Sequence, residues 1–260
     1  MRVDQHKFCG LLHEGDRWHY VLDEKDPLPT ADDSRRQLAP RYVILPNNKQ
    51  IPKWGPTKRG VVNGFRPASD CKGYFMTSKF QPNNNCYNYA CNIATNSFAQ
   101  PGRCHGKTLL QKGHTLNVGD VIAGAKADGL RLIGDESMSL RQALTSAIYL
   151  NGLANSQSGH LVALLLSAAK SDIRWKGDYH WVRCDHLSGR HWSQKDGKGH
   201  VTNYDFRGNW IVDPKEACWT VNEGPPATGW GYSTHKLTSR VVTYSFAAWM
   251  FVPYGRVSII

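Results

Sequence analysis

The chain is short of features that would fix its class on inspection. Its seven cysteines (Cys9, Cys71, Cys86, Cys91, Cys104, Cys184 and Cys218) include no Cys-x-x-Cys pair, its longest apolar run is residues 161–169, and it has no block of five or six like charges. Each absence excludes something. An odd number of cysteines over 260 residues is not the framework of a small disulfide-stapled domain, and implies a reducing compartment with at least one thiol kept for chemistry. The apolar run is about half of the roughly 20 residues a membrane span needs, so no span is expected. The opening MRVDQH has no apolar signal core, which implies cytoplasmic synthesis and any export by a route that needs no N-terminal signal. Gly106-Lys107-Thr108 lacks the upstream glycine and preceding strand of a phosphate-binding loop, which disfavours nucleotide hydrolysis. With 40% hydrophobic and 20% charged residues, disorder, collagen and coiled coil are excluded, and the chain can bury a core of its own.

What is present begins with charge. Lys and Arg total 32 against 21 Asp and Glu, a formal +11 that favours anionic surfaces such as nucleic acid or acidic polymers. The cations are scattered, as Lys58/Arg59, Arg174/Lys176 and Lys195/Lys198, which also fits an ordinary solvated surface. Nine tryptophans, several beside cations, add stacking capacity toward sugars or bases.

Residues 1–75 are punctuated by Pro27, Pro29, Pro40, Pro46, Pro52, Pro56 and Pro67, with strand-like pieces only at 18–22 and 42–45, and read as an irregular N-terminal region. Residues 76–260 read as an α+β domain. Cys86, Tyr89, Ala90, Ile93 and Ala94 share one helical face behind an Asn85 N-cap. Asp120 is placed to cap a helix at 121–127, and a longer helix is expected at 139–150. Strands are expected at 160–166, 179–184, 201–206, 210–212, 241–246 and 249–252, although the run from 161 also suits a buried helix.

The chemistry centres on Cys86 and His180. A cysteine on a first helical turn has its thiolate favoured, and a nucleophilic thiolate needs a histidine held by an acceptor on its far nitrogen. Alternation in the strand at 179–184 puts His180 on the face of Val182 and Cys184. Asn203 and Asp205 share a face of the next expected strand, and either could hold the imidazole. The stretch 188–199 is expected as a loop that forms one wall of a substrate cleft, with Trp181 and Trp192 as substrate-contacting aromatics.

This order, a helix-capping cysteine followed by a histidine and then Asn or Asp on successive strands, resembles that of papain-like cysteine hydrolases, a group that includes NlpC/P60-type peptidases and transglutaminase-like enzymes. The resemblance covers residues 80–215 and rests on order and context, with Asn84-Asn85-Cys86-Tyr87-Asn88-Tyr89 standing where papain has its own nucleophile motif. It implies a papain-like α+β fold and a thiol protease or amidase chemistry without cofactor, with Cys86 as nucleophile, His180 as base and acid, and Asn203 or Asp205 as orienter. Gln81, or alternatively Asn84, would complete an oxyanion hole. The implied partner is a protein, peptide or cell-wall substrate.

Two competing readings remain open on the sequence. A buried Cys86 would leave a non-catalytic basic protein for nucleic acid, polysaccharide or another anionic polymer. Zinc is suggested by the residue types of His180, Cys184, His186, His191 and His200, but His180 and Cys184 on one strand would lie about 13 Å apart, too far for one ion.

Overall fold

The computed structural model describes residues 40–59, 75, 80–109, 115–152, 159–186, 189, 191–199, 201–223 and 240–260, together with the backbone of 8–14 and 17–22. Six strands form the central sheet: β1 (Arg131–Asp135), β2 (Gly159–Ser167), β3 (Asp178–His186), β4 (His191–Lys195), β5 (Val201–Thr202) and β6 (Ser245–Pro253). Their order is β5-β4-β3-β2-β6-β1, with every pairing antiparallel. Three α-helices, α1 (Cys86–Ala90), α2 (Val118–Ala127) and α3 (Leu140–Gly152), cover it. The fold class is α+β.

The ambiguous run after His160 resolves as β2 because the sheet gives it two faces to bury. Val162 and Leu164 pack with α1 and α2 residues such as Ala90, Val121 and Ala125. Leu161, Ala163 and Leu165 pack with Ala143 and Ala147 of α3. All five are fully buried, so a continuous apolar sequence satisfies a strand covered on both sides. Truncating one of these leucines to alanine costs about 2–5 kcal/mol.

Local capping sets the helices. Asn85 accepts from Asn88 N–H at 3.1 Å and Asn88 Oδ1 accepts from Asn85 N–H at 3.1 Å, a reciprocal cap that starts α1. The cap of α2 is Asn117 rather than Asp120: Asn117 Oδ1 accepts from the Asp120 N–H at 2.9 Å, which puts Asp120 in the first turn. Ser139 and Gln142 exchange bonds at the start of α3.

The loop expected at 188–199 contains β4, which forms a hairpin with β3. Conversely, the strands expected at 201–206 and 210–212 shrink to β5 and an isolated Tyr204–Trp210 bridge. The Pro-rich region is tied into this body in part: Lys58–Arg59 pairs with Ile93–Ala94, and Trp54 N–H donates to Asn96 O at 2.8 Å. The rest of residues 60–79, apart from Phe75, lies outside the described residues. Among the described residues, no helix is long and apolar enough to cross a membrane.

Candidate active site

Cys86 opens α1, and α1 packs on β3 and β4. Its Sγ is directed at Tyr179 O on β3, 3.9 Å away, the carbonyl immediately before His180. The helix has five residues, too short for a dipole of much weight, and the thiol is only 5% exposed. Burial therefore dominates and pushes the thiol far above its ordinary range; Asp178 adds to the rise, while the Trp181 backbone and Lys195 oppose it. The expected resting thiolate is thus corrected to a resting thiol.

His180 is 3% exposed and its ring projects among Phe206, Trp219 and Tyr244, with centroids 5.4–6.0 Å away. Its Nε2 meets Gln194 Oε1 of β4 at 2.8 Å. The amide orientation follows from the other end of the same side chain, where Gln194 Nε2 donates to Tyr204 O at 2.9 Å. Gln194 Oε1 is then an acceptor, so His180 Nε2 carries the hydrogen. Burial lowers the imidazole's affinity for a second proton, against smaller rises from Asp196 and Gln194. In its neutral form, which burial favours, the ring is the Nε2–H tautomer with its lone pair on Nδ1. No hydrogen bond joins it to Cys86 among the described residues.

Neither expected orienter touches His180. Asn203 Nδ2 donates to Trp192 O at 2.8 Å and to Asp185 Oδ2 at 3.4 Å. Asp205 accepts from the backbone N–H groups of Arg207, Asn209 and Cys218 at 2.8–2.9 Å and shapes the turn after β5. The side chain that does bond the His180 ring, Gln194, comes from β4, which pairs directly with β3.

The side-chain amides proposed for an oxyanion hole are occupied. Gln81 Nε2 donates to Lys198 O at 3.0 Å. Asn84 Nδ2 donates to Phe80 O and Asn96 Oδ1, and Asn84 Oδ1 accepts from Asn96 N–H. Trp181 and Trp192 are 0% and 1% exposed and pack on Tyr87 and Trp249, so they are core residues and line no open cleft. Among the described residues, no cluster of three or more His, Cys, Asp or Glu could hold a metal ion; His200 and the side chain of His186 lie outside the described set.

The structure adds groups that the sequence reading passed over. Lys195, at the end of β4, is fully buried and donates to Gln81 O at 2.9 Å, Gly197 O at 2.9 Å and Asn84 O. Asp178 and Glu223 meet at the Tyr244 hydroxyl, 3.3 and 3.4 Å away, and burial raises Asp178 to about 6. The signal for β4 was its alternation of Trp192 and Gln194 against Ser193 and Lys195, hidden by low strand propensity.

No family model matches the chain, and no solved structure matches it. A relative in Ruditapes philippinarum, insoluble matrix shell protein 1, is 36% identical over 155 residues, covering 58% of this chain and 79% of that protein. At that identity and coverage, the chain belongs to the same family as insoluble matrix shell protein 1.

Proposed function

We propose that the chain is a cysteine-dependent hydrolase of papain-like architecture, a peptidase or amidase, with Cys86 as nucleophile, His180 as general base and acid, and Gln194 as orienter. The observation that carries this reading is the fixed His180 tautomer: Gln194 Oε1 holds Nε2–H at 2.8 Å, leaving the Nδ1 lone pair for a proton, on the strand whose Tyr179 carbonyl meets the thiol. In this reading the thiol reacts by general base catalysis, with the imidazole taking its proton as sulfur attacks.

Catalysis by this pair requires Sγ and Nδ1 to come within hydrogen-bond reach on substrate binding, a contact absent at rest, where Cys86 packs with Tyr179 and Trp181 and the His180 ring lies among Phe206, Trp219 and Tyr244. Nδ1 takes the Sγ proton as sulfur attacks the carbonyl carbon and the carbonyl π electrons move onto oxygen. In this reading that oxyanion is received by the backbone N–H groups of Cys86 and Tyr87, first in α1 and without carbonyl partners inside the helix. Nδ1–H then protonates the leaving amine, the C–N bond breaks, and an acyl-thioester remains. Water, giving its proton to Nδ1, releases the acid and restores the thiol.

The test is labelling with a peptidyl acyloxymethyl ketone, read by intact mass and peptide mapping, on wild type, Cys86→Ser and His180→Ala. The expected result is one adduct on Cys86 in the folded wild type, slowed at least 100-fold in folded His180→Ala. An unchanged rate in that variant, or labelling only after denaturation, overturns the proposal.

A second reading is favoured by the relative's name together with the charge of +11: a basic component of an insoluble matrix that binds an anionic polymer. Co-sedimentation with a carboxylated polysaccharide at rising salt separates the two, since ionic binding weakens steeply with salt and Cys86 labelling does not.

A further inference from the structure

We infer that Lys195 is a positioning residue for Cys86: its buried ammonium clamps the turn that leads into the cysteine and supplies the positive charge against which a thiolate forms. The inference rests on the hydrolase reading for its purpose, and on the following geometry for its existence.

All three Nζ hydrogens have carbonyl acceptors, Gln81 O, Asn84 O and Gly197 O. Gln81 opens the short 3-10 turn Gln81–Asn83 and Asn84 is its C-cap, two residues before Cys86. The clamp therefore joins the end of β4 to the segment whose Asn85 caps α1. Among the described residues, no carboxylate lies within ion-pair distance of Nζ.

A full positive charge is an expensive way to bridge three carbonyls. Burial pulls the ammonium down to about 7, with Cys86 and Asp196 drawing it back up. A neutral donor would hold the turn at lower cost. What only the charge provides is a field at the Asn84–Cys86 segment, where the thiol must become an anion. The other charges that reach the thiol, Asp178 from β3 and Asp196 beyond β4, oppose that anion. Among the described residues, Lys195 is the cation that offsets them.

The test follows conversion of Cys86 to its methyl disulfide by methyl methanethiosulfonate, with loss of methanesulfinate, from pH 6 to 9, with peptide mapping and half-exposed Cys104 as internal reference. Where Lys195 governs the thiol, log rate climbs tenfold per pH unit only until the lysine loses its proton, then flattens, because thiolate–ammonium and thiol–amine hold the same number of protons. The bend must persist in His180→Ala and disappear in Lys195→Met, whose Cys86 rate at pH 6.5 should fall at least tenfold; Lys195→Arg should restore it to within about threefold. A straight line in wild type overturns the inference even if Lys195→Met does not fold, as does an equal or faster rate in that variant. A bend without an acyloxymethyl ketone adduct retires the hydrolase and keeps the Lys195–Cys86 coupling; an adduct without a bend retires only Lys195.

Discussion

Replacing His160 with glutamine should flatten the acid side of the stability profile. His160, the second residue of β2, is 2% exposed, and its Nε2 lies 2.6 Å from Ala90 O, tying the end of α1 to the central sheet. That bond needs an N–H but no charge, and burial, helped by Arg183, lowers the ring's pKa from 6.5 to about 3. Because the folded value is depressed, the unfolded chain binds a proton between about pH 6.5 and 3 that the folded chain does not, so stability rises with pH across that window and is lost on acidification. From pH 7 to pH 4 the loss is about 3 kcal/mol, a large share of the 5–15 kcal/mol typical of a domain. Glutamine offers an amide N–H to the same carbonyl and does not titrate. Urea unfolding at pH 7 and pH 4 reads the difference: the wild-type midpoint should fall by about 1 M more than the variant's, at an m-value of about 3 kcal/mol/M. Parallel pH dependences would show that His160 is already charged in the fold, and would refute the assignment.

Gln194→Leu should release His180 into a mixture of tautomers, visible in long-range 15N–1H NMR, and slow Cys86 labelling at least tenfold; a single Nε2–H tautomer in the variant would disprove the orienting role. Asn88 uses its whole side chain, accepting from Asn85 and Ala99 N–H and donating to Ile93 O and Thr95 Oγ1 at 2.8–3.1 Å. Asn88→Leu should therefore cost about 3–5 kcal/mol by calorimetry, and a loss under 1 kcal/mol would contradict that network. Asp128, buried and raised to about 6 by burial despite bonds from Tyr87 and Gly102, runs opposite in sign to His160. Its contribution is complete below about pH 3.8 and disappears as pH rises through about 6, worth about 3 kcal/mol; Asp128→Asn should remove that component, so an unchanged difference between pH 4 and pH 7 would exclude it.

How much was legible differs by kind of residue. The Cys86 helix could be read because its cap is local, Asn85 and Asn88 facing each other across one turn. The strand bearing His180 could be read because β-branched and aromatic residues alternate there, and His180 does share a face with Val182 and Cys184. Its partner could not be read, since strand order is a long-range matter: Asn203 and Asp205 were chosen as the next plausible strand, whereas polar β4 inserts as the neighbour of β3 and delivers Gln194 to His180. The protonation of Cys86 was misjudged for a related reason. A cap position is visible in one turn of sequence, but desolvation depends on everything packed over the sulfur.

By itself, then, the sequence determined the Asn85 cap that starts the Cys86 helix and the alternation of the strand that bears His180, because capping and side-chain period are set within a few residues. The tertiary structure alone decided which acceptor fixes the His180 tautomer, that Trp181 and Trp192 belong to the core, and that a lysine from β4 is buried against the turn before Cys86. Those outcomes depend on which strands become neighbours and on how far water is excluded between them, and neither is encoded in local spacing.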